Sequence, residues 1–591
     1  MPGTDEDRRL REGEYPLRRI LLVWLAVSAL LVLTALQSIA TRRFPDPDDV
    51  LRLVQVRDLL AGQGWFDLNQ YRLDPANPVP MHWSRLIDLP LVAVIGGLTP
   101  LLGQPLAEQV GTVLVPLLTL LAAMLFAGRM AWRMFDVETA GLACLTIGFL
   151  PLLVFQFQPL RIDHHGWQIC AVIAAMWAIN ARHGWKGGAL AGLAIGAGIT
   201  ISLELIPIAA LFGGVLALRW LRDAQGRFWL VGYLQALAAT LAVLFAATRG
   251  FDDLTPYCDA MTLPHVGFFA VVAAGVTVLA YAPRLPWPAT LAGLGLAGMA
   301  GVAVFGLASP DCLRTPFGAL DPLVRDYWYA NVLEGRPIWD QSALVYPQLL
   351  QIVVGLAVGI HLWRGARDWK RSWWGDYLLV FVGTFVLGLL VWRSMAFASI
   401  LAALPLGYVL KRGLEAFRTL EKPVQRMGVA LGMLLVLVPS TPYLAIQRLL
   451  ASSGGSDAGG MSISSCDLFD SADKLGTLPQ GTIFAPLDIG PAILQRSPHA
   501  VVATGHHRAE KAMRDVILGY TGTPDLAHDL VRKHGAQYVV MCTDLVEPEI
   551  YVTQGVKGSF AYRLRDGTAP DWLEPVDLGT PETFRVWQVK N

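Results

Sequence analysis

Charge is scarce in this sequence. Asp, Glu, Lys and Arg make up 16% of its 591 residues, against 54% hydrophobic residues. That balance excludes an ordinary soluble enzyme and describes a polytopic membrane protein. The formal net charge is zero, so no excess of positive charge points to a nucleic-acid partner. No internal repeat is visible, which argues against the repeated halves common in transporters. The first apolar run, Ile20 to Ile39, carries no charge. It is too long for a signal-peptide core and lacks a small-residue cleavage site, so it is expected to stay as a membrane helix. Cysteines are few, six in all. Cys144 and Cys170 lie in apolar runs and read as packing residues. Cys258 and Cys312 fall in two loops on one side of the membrane, and Cys466 and Cys542 in the C-terminal part. The pairs Cys258–Cys312 and Cys466–Cys542 would suit an oxidising compartment.

Charge placement orders the apolar runs. Arg8-Arg9, Arg11 and Arg18-Arg19 precede the first of them and place the N-terminus in the cytoplasm. Counting onward predicts about 13 spans, with basic residues in each inner loop. Two long outer loops result, 40–108 and 308–343. Leu86 to Leu102 is apolar but interrupted by Pro90, Gly96-Gly97 and Pro100, and is expected to lie at the interface rather than span. Ala189–Ile201 and Leu205–Leu218 are expected to form a tight pair, and Val429 to Leu444 the last span. The fold expected is a polytopic α-helical membrane domain over 1–450 with a soluble α/β domain over 451–591. In the latter, Thr482–Ala485, Ala500–Ala503, Tyr538–Cys542 and Phe584–Val589 read as strands, Arg508–Leu518 and Asp525–His534 as helices.

On this topology the acidic and histidine residues converge on the outer face. They are Asp46, Asp48 and Asp49 after the first span, Asp163 with His164 and His165, Glu204 at an outer turn, and Glu334 in the second long loop. Ionisable residues at a membrane face mark function more often than packing. Asp before an apolar-periodic run is also a common helix cap. Carboxylate and imidazole together suit a divalent cation such as Mg²⁺ or Mn²⁺, which would neutralise a phosphate leaving group. Arg393, at the outer end of a span with no acid near it in sequence, is a candidate partner for that phosphate.

These stretches resemble the catalytic subunit of oligosaccharyltransferase and, more widely, membrane glycosyltransferases of the GT-C fold. Asp46-Pro47-Asp48-Asp49-Val50-Leu51-Arg52 is similar to the family's D-P-x-F-N-Y-R-like first loop, with Arg52 at the same spacing. Asp46 matches the acid, while Asp48 and Asp49 are equally placed to serve. Asp163-His164-His165 stands where the family has D-x-E, with His165 in place of the Glu. Asn331-Val332-Leu333-Glu334-Gly335-Arg336-Pro337-Ile338-Trp339 resembles S-V-S-E-x-x-P-x-x-W, with Glu334 and Pro337 in register and Trp339 one residue short. Arg393 resembles the family's phosphate-binding Arg. Pro486-Leu487-Asp488-Ile489-Gly490 aligns with the acceptor motif W-W-D-Y-G but keeps only Asp488 and Gly490.

The resemblance implies transfer of a sugar or oligosaccharide from a polyprenyl phosphate or diphosphate. One of Asp46, Asp48 or Asp49 would be general base or metal ligand. Asp163 and His165 would complete the metal or donor site with Asp48, and Glu334 would hold its loop over it. With both tryptophans gone, recognition of the usual N-glycosylation sequon is not implied. His506 and His507 beside Asp488 are the candidates for a different acceptor site, for a periplasmic glycan or protein. A flippase of lipid-linked sugars is the alternative, and a non-catalytic assembly subunit a third reading. The expected setting is a bacterial inner membrane, with membrane lipids around the spans and the C-terminal domain in the periplasm.

Overall fold

The computed structural model describes residues 15–180, 183–283, 285–314, 320–439 and 464–590. Arg8, Arg9 and Arg11, and the end of the last predicted span beyond 439, lie outside these residues. Two compact units emerge: Met1–Ala40, Leu98–Leu313 and Leu333–Asp457 form one, and Thr41–Gly97, Arg314–Val332 and Ala458–Asn591 the other. The second unit thus takes in two pieces of chain from before residue 451 as well as the C-terminal part.

The chain is a multi-pass membrane protein. Ten helices among the described residues are long and apolar enough to cross a bilayer, and an eleventh span results if Val137–Ile147 and Pro151–Phe157, bent by 75°, are taken together. Shorter apolar helices are His165–Ala178 and Pro423–Leu437. The segment expected at the interface is instead helical throughout, and Arg85–Leu102 has the length and hydropathy of a span. Pro90 falls in the first turn of Asp88–Leu102, where its missing N–H costs nothing, and Pro100 falls near the end. The most buried of the ten candidate spans, Trp392–Thr419, runs through the apolar core of the first unit.

Gly184–Ile201 does not pair chiefly with Ile206–Arg222, as adjacency suggested. It packs along Arg227–Thr248 instead. The reason is steric. A Cβ on Gly188 would strike the Trp229 carbonyl, and one on Gly192 the Tyr233 carbonyl, so only glycine permits so close an approach. Cys144 and Cys170 are free and buried in this unit, and Cys258 is joined to Cys312.

The second unit contains a hairpin, β1 (Asn69–Gln70) with β2 (Val79–Pro80), and a five-stranded sheet. The sheet comprises β3 (Thr482–Phe484), β4 (Ala500–Val501), β5 (Tyr538–Cys542), β6 (Leu573–Pro575) and β7 (Phe584–Val589), in the order β4-β3-β5-β7-β6. β3 is parallel to β4 and β5, and β7 is antiparallel to β5 and β6. β5 is buried along its whole length, as a central strand covered on both faces requires. The early segment joins this sheet. Leu73 bridges Val501, Val501 N donates to Arg72 O at 2.9 Å, and Asp74 N donates to Val501 O at 3.0 Å. The Arg72 guanidinium donates to the Leu494 and Ser497 carbonyls at 2.8 and 3.0 Å. Cys466 is joined to Cys542.

Candidate active site

The first unit gathers Asp163, His164, His165, Glu204, Glu334 and Arg393. Asp163 lies in the link between Pro151–Phe157 and His165–Ala178. Leu160 opens that link with φ of 71°, a left-handed conformation that L side chains avoid and that tends to persist at functional sites. Leu160 N donates to Thr112 O at 3.0 Å, which anchors the bend.

Both oxygens of Asp163 face an imidazole. His164 Nδ1 is 2.7 Å from Oδ1 and His165 Nδ1 is 3.1 Å from Oδ2. The rings stack with centroids 4.1 Å apart. His164 Nε2 reaches toward Glu204 Oε2 at 4.0 Å, and Gln168 Nε2 donates to the same oxygen at 3.2 Å. Glu204 Oε1 pairs with Arg393 Nη2 at 2.5 Å, and Arg393 Nη1 donates to Glu334 Oε1 at 3.1 Å. Arg161 lies on the other flank. Its Nε donates to Gln156 Oε1 at 3.2 Å, and its Nη2 is 3.5 Å from His165 Nδ1. The result is a row of alternating sign: Arg161, Asp163 with its histidines, Glu204, Arg393, Glu334. Burial alone would raise the Glu334 carboxyl. The charges of His165, Arg393 and Arg161 outweigh it and hold that group below its ordinary value.

The same residues offer a cation site. Asp163, His164 and His165 each present a ligand atom within 4.8 Å of the others, and all three are buried. With Nδ1 facing Asp163, the remaining nitrogen of His165 is Nε2, and it has no hydrogen-bond partner among the described residues. A carboxylate that orients an imidazole through one nitrogen leaves the other to bind metal. The donor set therefore fits a divalent cation.

Asp46, Asp48 and Asp49 belong to the second unit. Asp46 caps the helix Pro47–Leu60, its carboxylate accepting from Asp48 N at 2.9 Å, while Asp48 and Asp49 stand in the first turn. Asp49 is fully buried. Arg52, one turn on, pairs with Asp88 Oδ1 at 3.0 Å, and its guanidinium lies over the Trp83 ring. His506 and His507 meet a third histidine. His82 Nδ1 is 2.9 Å from His506 Nε2, His507 stacks on His506, and Trp328 lies beyond His507. The turn that carries Asp488 has its own anchor. Glu547 accepts from the Leu487 and Asp488 amides, each at 2.7 Å, and from the Tyr551 hydroxyl. Burial, and then the neighbouring Asp488 carboxylate, push Glu547 up to about 8.

Sequence reasoning gave no role to Arg161, Gln168, His82, Asp88 or Glu547. Gln168 could have been found, since it sits one helical turn from His165. Asp88 and Arg85 share the same spacing. The Glu547 anchor is not legible locally, because the two amides it holds lie about sixty positions away and only Tyr551, one turn on, is near in sequence.

No family model matches this chain, and no curated protein matches it. Solved structures do. An archaeal oligosaccharyltransferase, AglB from Archaeoglobus fulgidus, in complex with an inhibitory peptide and a dolichol-phosphate, is similar with a TM-score of 0.66 at 15% identity, over 91% of this chain and 71% of that one. An A. fulgidus oligosaccharyltransferase in the apo form gives 0.65 at 14% identity, over 95% and 73%. A complex of the A. fulgidus enzyme with Zn and sulfate gives 0.57 at 13% identity, over 96% and 73%. The chain has a GT-C fold like that of oligosaccharyltransferase.

Proposed function

We propose that this GT-C chain is a membrane glycosyltransferase that moves a sugar or oligosaccharide from a polyprenyl phosphate or diphosphate to an acceptor at the periplasmic face of a bacterial inner membrane. The observation that carries this reading is the row of alternating charge running from the buried Asp163 and its two histidines through Glu204 to Arg393, both partly exposed. A row of this kind suits a reaction that separates a phosphate leaving group from a sugar cation. The dolichol-phosphate in the AglB complex, and the Zn and sulfate in the other, support a lipid phosphate and a divalent cation as partners.

In this reading an acceptor atom attacks the anomeric carbon while the bond from that carbon to the phosphate oxygen breaks. The phosphate leaves with the bonding electrons. One of Asp46, Asp48 or Asp49 takes the acceptor's proton, and Arg393 binds the phosphate through its planar fork. Asp163 and His165 would hold the cation. A bound cation would neutralise charge on the departing phosphate. The His165 imidazole in the donor set favours Mn²⁺ or a later transition ion over Mg²⁺. Asp488, His506 and His507 bind the acceptor, a periplasmic glycan or protein.

The test is donor turnover by the purified chain. Polyprenyl-linked glycans from the host are supplied with and without Mn²⁺, release of lipid phosphate is followed, and Asp163→Asn is run in parallel. Release by the wild type that the variant loses is expected. No release, with or without periplasmic acceptor material, would overturn this reading in favour of a flippase.

A further inference from the structure

The guanidinium proposed to receive the donor phosphate is already occupied by two carboxylates, Glu204 at 2.5 Å and Glu334 at 3.1 Å. A phosphate added to both would put three anions on one cation, at a cost in like-charge repulsion. One carboxylate must give way. The two are not equally held. Glu204 stands on the turn Leu203–Leu205, leading directly into a membrane helix, and Gln168 grips its second oxygen. Glu334 has a more open side chain, 36% exposed against 22% for Glu204. Among the described residues its side chain hydrogen-bonds to Arg393 alone.

The segment around Glu334 is lightly built. The turn Leu333–Gly335 contains no buried residue, and a side chain at Gly335 would meet nothing. Beyond that turn the segment is better held: Ile338 is buried, Arg336 Nε pairs with Asp340 Oδ2 at 3.0 Å, and the Tyr346 hydroxyl donates to Ile338 O at 3.4 Å. Around the turn itself, Arg336 N donates to Leu333 O at 3.0 Å, Gln341 Nε2 donates to Leu333 O at 2.5 Å, and Trp392 N donates to Arg336 O at 3.0 Å. The last of these ties the segment to the turn that carries Arg393.

We infer that Glu334 is a placeholder for the donor phosphate: its carboxylate sits on Arg393 until the phosphate displaces it, and its departure loosens the segment 333–341. This rests on the reading of Arg393 as the phosphate-binding residue. A phosphate competes well because it presents several oxygens to the guanidinium fork and carries more charge than a carboxylate. The empty site is thereby kept neutralised, and the loop is released only when a phosphorylated ligand arrives.

The experiment uses the full chain in nanodiscs with farnesyl phosphate as the probe and farnesol as its uncharged control. Hydrogen exchange of the Arg336 and Asp340 amides is followed together with equilibrium binding. Farnesyl phosphate, and not farnesol, is expected to speed exchange in wild type. In Glu334→Gln exchange is already fast, and farnesyl phosphate binds about fivefold tighter, the release of roughly one partly exposed ion pair. Binding that Arg393→Ala abolishes, but that leaves wild-type exchange unchanged or slower, would overturn the placeholder and keep Arg393 as the phosphate site. Binding equally strong in Arg393→Ala, or no binding in wild type, would overturn both.

Discussion

Arg52 and Asp88 meet at 3.0 Å with neither side chain exposed, although 36 residues separate them. Arg85 takes the other oxygen of Asp88 at 3.3 Å, so one carboxylate serves two buried guanidinium groups. This pair fixes the helix whose first turn carries Asp48 and Asp49. Asp88→Asn leaves both cations short of charge and should cost about 3–5 kcal/mol of stability. The check is the unfolding midpoint of the full chain in urea. A loss below about 1 kcal/mol, the range of an exposed pair, would show that the buried pair does not sustain this helix.

Removing divalent cations with a chelator should abolish donor turnover, and added Mn²⁺ should restore it. His165→Ala should raise the Mn²⁺ concentration needed for half-maximal turnover by about 10–100-fold, the usual effect of losing part of an oriented ligand set. The measurement is turnover against Mn²⁺ concentration for both proteins. Identical curves would remove His165 from the cation site.

Glu547 gives the second unit a pH dependence whose sign follows from linkage. Its carboxyl is raised to about 8 in the fold from a usual value near 4.5. Between those values the folded state binds more protons than the unfolded one. The stability it contributes is therefore full below about pH 4.5 and is lost as pH rises through about 8. The chain should unfold at a lower temperature at pH 8.5 than at pH 6, and Glu547→Gln should flatten that difference. Equal slopes for both proteins in a thermal series over pH would refute it.

Gly192 and Gly214 make a controlled comparison. A methyl group on Gly192 would run into the Tyr233 carbonyl, whereas one on Gly214 meets nothing within 4 Å. Gly192→Ala should destabilise by about 1–3 kcal/mol through overpacking. Gly214→Ala should be neutral, or stabilising by up to about 1 kcal/mol through helix propensity. Thermal unfolding of the two variants side by side decides it.

Scarce charge and long apolar runs determined by themselves that this chain crosses a membrane many times, because hydrocarbon admits only helices with their backbone bonds satisfied internally. Local pattern also placed β5 and β7, whose residues alternate or bury as strands do, and singled out Asp163, Glu334 and Arg393 through short motifs. It read proline as a breaker in Leu86–Leu102, whereas the segment is helical and Pro90 fell in a first turn that tolerates it. It also paired helices by adjacency, whereas backbone proximity at Gly188 and Gly192 selected a different neighbour. Only the tertiary structure could show that Arg393, with no acid nearby in sequence, carries Glu204 and Glu334. Likewise, Glu547 anchors the Asp488 turn, and Leu73 joins the sheet beside Val501. Apolarity and helix periodicity are properties of neighbouring residues. A hydrogen bond between groups dozens or hundreds of positions apart exists only once packing has brought them together.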